Sequence, residues 1–160
     1  MREKILHYIE KNSRISIADL AAVLGEDEIV IANELAAMED EHIICGYHTM
    51  IDWDKTDIEQ VTGLIEVRVS PQLGFGFDAI AQQIMEYDEV TALYLISGSY
   101  DFLLTIEGRT LREVAIFVNE RLAVLDTVLS TKTNFILKRY KAHGTLMTGP
   151  EKDERIQMMS

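Results

Sequence analysis

The hydrophobic periodicity changes character near residue 63, and that change limits the folds open to this chain more than any other feature. From Gly63 to Ser70 the side chains alternate, Leu64, Glu66 and Arg68 against Ile65, Val67 and Val69. This is the period-two signature of a strand with one buried face. Phe75–Tyr87 then places Phe77, Ile80, Ala81, Ile84 and Met85 on one helical face. Two runs rich in Val, Leu, Ile and Tyr follow, Val90–Ser97 and Phe102–Glu107, joined by Gly98-Ser99-Tyr100-Asp101. A glycine at positive φ and an aspartate bonded to its own backbone would make that tetrapeptide a hairpin turn. Thr110 suits the N-cap of a helix over Leu111–Leu122, with Leu111, Val114, Ala115, Val118 and Leu122 inward. Thr131–Tyr140 closes the series, Phe135 and Leu137 alternating with Asn134, Ile136 and Lys138. The order βαββαβ predicts a ferredoxin-like domain over 63–141, two helices covering one face of an antiparallel sheet. The other face is left bare, so two copies are expected to pack face to face.

The first 42 residues carry a helical repeat instead. Ile5, Leu6 and Ile9 share a face, and Asn12-Ser13 favours a turn after them. Ser16 can cap a second helix that buries Ile17, Leu20, Ala21 and Leu24 and stops at Gly25. Asp27 can cap a third, running to about Asp40 with Ile31, Leu35 and Met38 inward. Two helices, a Gly-containing turn and a third helix match the helix-turn-helix plan. Ile43–Tyr47 reads as a strand leaving that unit, within a strand-like linker over 43–62. The whole is of the α+β class. From Ala142 to residue 160 the composition turns to Gly, Thr, Pro, Glu and Met, which reads as a mobile tail or an arm onto a partner.

A helix-turn-helix is normally a device for sitting on DNA, and here the charge opposes it. Between Ile15 and Asp54 there is no Lys or Arg, against ten carboxylates, and the whole chain carries a formal charge of −12. Phosphate binding needs cations to displace counterions. On the third helix the side chains not used by the core are Glu28, Ile29, Ala32, Asn33, Ala36 and Ala37. Asn33 is the candidate for an adenine edge. Lys11 and Arg14, with Arg2 and Lys4, are the candidates for backbone contacts at the margin. The alternative is a small-ligand-binding or protein-interaction module that touches no DNA and acts on a basic partner.

Other classes are less compatible with the residues present. The apolar runs are strand-length, too short to cross a bilayer, and charges interrupt the first twelve residues where a signal core would lie. A cytoplasmic protein is the expectation. The single cysteine, Cys45, excludes an intramolecular disulfide and a multi-cysteine metal cage. His7, His42, His48 and His143 are scattered, and His42 and His48 flank Cys45 at a spacing that sends strand side chains to opposite faces. No nucleophile elbow or phosphate loop is present. Neither catalytic residues nor a metal nor a cofactor is expected.

Four segments, ILHYIEKNSRISIADLAAVLG, MEDEHIICGYHTMID, GSYDFLLTIEG and STKTNFILKRYK, resemble in order and spacing the Lrp/AsnC family of amino-acid-responsive bacterial and archaeal regulators. The resemblance covers roughly residues 1–141. It implies a winged helix-turn-helix followed by an effector domain that dimerises, often into rings of dimers. It also implies that an amino acid or similar small effector binds between those domains. The turn Gly98, Ser99, Tyr100 and Asp101 would line the effector site, with Thr131 and Thr133 as further polar candidates. Asp101 suits an α-amino group, and free N–H groups of the turn suit a carboxylate. This chain departs from the family where several Arg or Lys usually stand, holding Ala32, Asn33, Glu34, Ala36 and Ala37 instead. His42 stands where a Gly commonly ends the recognition helix, and His tolerates that left-handed backbone. DNA binding is therefore expected to be weak or partner-dependent. Sirohaem decarboxylases share the two-domain plan, but a tetrapyrrole's carboxylates call for cations that residues 43–54 lack.

Overall fold

Short polar side chains decide where the helices of this protein begin. In the computed structural model, which describes residues 1–72, 74 and 76–147, the chain forms two units, Met1–Ile51 and a second starting at Asp52. In the first, α1 spans Arg2–Lys11, α2 Ile17–Leu24 and α3 Glu28–Asp40. Ser16 Oγ accepts the Asp19 N–H at 3.0 Å, and the Asp27 carboxylate accepts the Ile29 N–H at 2.7 Å. Each bond satisfies a donor for which the helix itself has no partner. Gly25 ends α2 at φ +69°, and His42 follows α3 at φ +55°, both in the left-handed region. Ile5, Leu20, Ala21, Ile31, Met38 and Ile44 form the core.

Two expectations for this unit fail. Ile17 lies at the surface, 41% exposed, because α2 turns only Leu20 and Ala21 fully inward. Ile43–Tyr47 forms no strand. The N–H groups of Ile43 and Ile44 both fold back onto the Met38 carbonyl at 2.9 and 3.0 Å. That closes the end of α3 and leaves the segment no ladder partner.

In the second unit a short 3₁₀ turn at Trp53–Lys55 precedes β1 (Val61–Val69), α4 (Phe77–Met85), β2 (Val90–Leu95) and β3 (Phe102–Gly108). Then come α5 (Leu111–Phe117), a π turn at Val118–Leu122 and β4 (Val128–Phe135). The four strands form one antiparallel sheet in the order β2-β3-β1-β4. Ile65, Val67 and Val69 of β1 and Phe102, Leu104 and Ile106 of β3 face the helices, which bring Ile80, Ile84, Val114, Phe117, Val118 and Leu122. The alternation read in Gly63–Ser70 thus holds, and the architecture is the ferredoxin-like one. Among the described residues no helix is long and apolar enough to cross a membrane.

Local departures have identifiable causes. Val114, Phe117 and Val118 share the i, i+3, i+4 face, and the π turn that follows adds a residue to the helical period and brings Leu122 rather than Arg121 inward. Leu111 and Ala115, expected inside, are exposed. Helix α4 ends at Met85, whose side chain is 59% exposed rather than inward. Strand β4 runs earlier than the Thr131–Tyr140 reading, because a register shift at Arg68/Val69 lets pairing start at Val128. After the Ile136 N–H reaches the Thr62 carbonyl at 3.0 Å the chain leaves the sheet, and Leu137 is 94% exposed.

Ala142–Met147, expected to open a mobile tail, are structured. Lys141–Ala142 (β5) and Thr145–Leu146 (β6) pair as a hairpin. Its two central residues, His143 and Gly144, have φ +46° and +77°, the signs a type I′ turn requires. Met147 is buried, and the rest of that tail, 148–160, lies outside the described residues.

Helix α5 sits so close to β1 that a Cβ on Gly63 would come within 2.8 Å of Val114 Cγ1. Gly63→Ala is expected to destabilise the protein by about 2 kcal/mol, as overpacked cores do. Gly46→Ala, with nothing within 4 Å of the added carbon, should stay within about 0.5 kcal/mol of wild type. Urea unfolding of both variants checks the pair; equal stabilities would show that α5 yields freely.

Candidate functional site

Three hydrogen bonds converge on Asp101 and fix the turn that joins β2 to β3. Strands β1 and β3 stop pairing at Val67 and Phe102, so the Val69 N–H has no ladder acceptor on that side. The Asp101 carboxylate takes it at 2.9 Å, in a partly buried bond. The Asp101 N–H donates to the Val67 carbonyl at 3.0 Å, and its own carbonyl accepts the Ile96 N–H at 2.7 Å. The carboxylate is therefore committed to β1 and not to its own turn. Gly98, expected at positive φ, is not among the glycines in that region; a Cβ there would make only an ordinary 3.6 Å contact with Ile96.

What the turn leaves available is one oxygen of the Asp101 carboxylate and a set of backbone donors. The N–H groups of Gly98, Ser99 and Tyr100 donate to no described residue. Gly98 and Ser99 are exposed, and Tyr100 is half-buried. Unpaired N–H groups beside a carboxylate can hold the two charges of a zwitterion.

The sheet brings one of the two threonines close to this group. Thr131 pairs with Val67, the residue whose carbonyl holds the Asp101 N–H. Thr133 pairs with Ile65, about 7 Å further along the strand. Both stand on the sheet face that the helices cover.

Thr127 escaped the sequence reading altogether. Its carbonyl accepts the Ser70 N–H at 2.8 Å, one residue beyond the N–H that Asp101 caps. Its side-chain hydroxyl is buried and finds no partner among the described residues. No periodicity marks a threonine in a turn, so the sequence holds no signal for it.

On the N-terminal unit, the first cation in the chain is already spent. Arg2 donates to Glu34 at 2.6 Å and to both oxygens of Glu41 at 2.7 and 3.0 Å. These bonds make the guanidinium hold its proton still more firmly and keep the Glu41 carboxyl below its usual range. Lys11 Nζ lies 2.9 Å from His7 Nε2. Arg14, in the turn before α2, and Asn33, midway along α3, are exposed. No hydrogen bond or ion pair among the described residues joins Asn33, Arg14 and Lys11 into one site. The Tyr47 hydroxyl donates to Glu39 at 2.6 Å, which pushes the phenol up to about 12. The described residues contain no cluster of three metal-ligating side chains.

Comparison with known proteins bears on the family and the fold. Residues 62–146 match the Lrp/AsnC ligand binding domain. The chain is 40% identical over 154 residues to the HTH-type transcriptional regulator YugG of Bacillus subtilis, covering 96% of this chain and 93% of that one. It is 28% identical over 141 residues to the transcriptional regulator LrpA of Pyrococcus abyssi, covering 88% and 97%. Escherichia coli AsnC shares the fold, with a TM-score of 0.67 at 20% identity over 92% of this chain and 96% of that one. So does a transcriptional regulator of Neisseria meningitidis solved in complex with L-methionine, at 0.71 and 20%, over 88% and 90%.

Two substitutions test the local chemistry. Thr127→Val removes a buried hydroxyl without a partner and keeps its shape, so it should stabilise the protein by about 1 kcal/mol in urea unfolding. A loss of stability would show that the hydroxyl is bonded. Arg2→Ala should raise the Glu41 carboxyl back towards its ordinary range in an NMR titration. Because folding lowers that value, the pair contributes above the ordinary carboxylate range, and its contribution fades as pH falls through the depressed value. A Glu41 titration unmoved by Arg2→Ala would contradict the pairing.

Proposed function

The chain belongs to the Lrp/AsnC family of transcriptional regulators, and on that premise we propose that it senses an amino acid or similar small effector at the 98–101 turn. The observation that carries this reading is the set of free N–H groups at Gly98, Ser99 and Tyr100 beside the Asp101 carboxylate. An α-carboxylate meets the first, and an α-ammonium meets the second. Thr131, opposite Val67, adds a hydroxyl from the neighbouring strand, and Thr133 stands further off.

The bare sheet face supports assembly of dimers, and through them of larger rings. It carries Leu64 and Glu66 from β1, with Thr105 and Leu103 opposite them, and Arg68 beyond the end of that pairing. Tyr94 at its edge is 53% exposed. The acidic helix-turn-helix supports weak DNA binding, or binding that depends on a partner, because it offers phosphate no cation between Ile15 and Asp54. A regulator of this kind works in the cytoplasm.

The test is thermal unfolding with each of the twenty amino acids, L-methionine first because the Neisseria meningitidis protein was solved with it. Saturation at a hundred times Kd stabilises by about 2.7 kcal/mol. Asp101→Ala confuses the result, since it also strips the Val69 N–H of its acceptor. Asp101→Asn keeps an acceptor and removes only the charge. It should abolish the ligand-induced shift while leaving the ligand-free melting temperature within a few degrees. An undiminished shift in that variant would take Asp101 out of the site, and no shift with any amino acid would end the amino-acid reading.

A further inference from the structure

The N-terminal unit holds four Lys and Arg side chains, Arg2, Lys4, Lys11 and Arg14, and its ion pairs treat them unequally. Lys4, Lys11 and Arg14 form no ion pair with a described residue. Arg2 is tied to α3. Its Nε donates to Glu34 at 2.6 Å, and its two terminal nitrogens donate to the two oxygens of Glu41 at 2.7 and 3.0 Å. Glu41, the C-cap of α3, lies at i+7 from Glu34, so the two carboxylates stand on one flank of the helix. Asn33, the candidate for an adenine edge, precedes Glu34 by about 100° around the helix axis. The guanidinium therefore lies beside the helix that a DNA reader sets in the major groove.

The contact is open to competition. Arg2, Glu34 and Glu41 keep side-chain exposures of 39%, 33% and 49%, so a phosphate can reach the guanidinium. To take it, the phosphate must displace a bidentate carboxylate, the strongest kind of guanidinium partner, together with a second carboxylate beside it. The exchange leaves two uncovered negative charges next to the incoming backbone. DNA binding is driven by cations that replace the counterions of phosphate. A cation already neutralised by two carboxylates of its own protein contributes little to that exchange.

We propose that the Arg2–Glu34–Glu41 cluster is an autoinhibitory contact, which while closed withholds from DNA a guanidinium placed to bind phosphate. This inference rests on the reading that the helix-turn-helix holds DNA weakly, and it names one contact that makes it so. Opening the cluster converts Arg2 from a neutraliser of α3 into a phosphate ligand.

The experiment uses the full chain and a fluorescein-labelled random-sequence duplex, followed by anisotropy over a series of salt concentrations. Glu34→Gln with Glu41→Gln keeps the shape of both side chains and removes the charges that hold Arg2. Glu10→Gln with Glu26→Gln makes the same change of charge on exposed residues of the same unit. Circular dichroism and melting temperature show that each variant is folded. The released variant is expected to gain at least tenfold in DNA affinity, against less than threefold for the control. Its log–log salt slope should steepen by about 0.9, the share of one phosphate contact. Arg2→Gln should cost at least five times more affinity in the released background than in wild type, a comparison that cancels the general effect of charge. Equal gains in the two double variants, or an Arg2→Gln loss that is the same in both backgrounds, would overturn the autoinhibitory contact while leaving the weak-DNA reading intact. Tight DNA binding by the wild-type chain would overturn that reading itself, and the proposal with it.

Discussion

The second unit depends on one requirement, that the central strand β1 find acceptors and donors on both sides along its length. Where β3 and β4 run beside it, the ladders supply them. At its end they do not, because β3 stops pairing at Phe102 and the register with β4 shifts at Arg68/Val69. Two groups fill the gap. The Asp101 carboxylate holds the Val69 N–H, and the Thr127 carbonyl holds the Ser70 N–H. A buried N–H left without a partner costs as much as a lost hydrogen bond. The same solution shapes the candidate site, since pinning Asp101 to β1 holds the 98–101 turn with its own donors unused. Structure and proposed ligand chemistry therefore meet in one carboxylate, one oxygen of which serves the sheet while the other is left unused by it.

The N-terminal unit shows geometry and charge parting company. Caps at Ser16 and Asp27 and the left-handed Gly25 build the bihelical unit that DNA readers use. Its charge opposes phosphate, and the Arg2 pairs with Glu34 and Glu41 turn an available cation into internal neutralisation of α3. A regulator can keep such a unit if its output passes through a partner.

What the sequence made legible was local. Ser16, Asp27 and Thr110 each cap a helix by bonding a backbone N–H two or three residues on, so the signal and its consequence lie together. The period of Ile65, Val67 and Val69 is likewise a property of one strand. The readings that failed depend on partners distant in sequence. Asp101 bonds a donor 32 residues away, whereas its sequence neighbours point only to its own turn. The start of β4 follows from a shift in β1. A single π turn at Val118–Leu122 changes the helical period over five residues, too few to stand out as a pattern. His143-Gly144 makes a type I′ turn with one residue that seldom adopts positive φ, and the segment therefore looked like tail. The four turn residues were legible as a candidate site through family resemblance, whereas Thr127 was not, because nothing local sets it apart.

The most direct test of the charge argument is the salt dependence of DNA binding by the purified chain, with a random duplex library as ligand. The account predicts no stable complex at about 50 mM salt, or one so weak that no sequence motif is enriched, with and without a stabilising amino acid. Enrichment of a defined motif would contradict it. So would an affinity falling with a log–log slope of several, near −0.9 for each phosphate contacted.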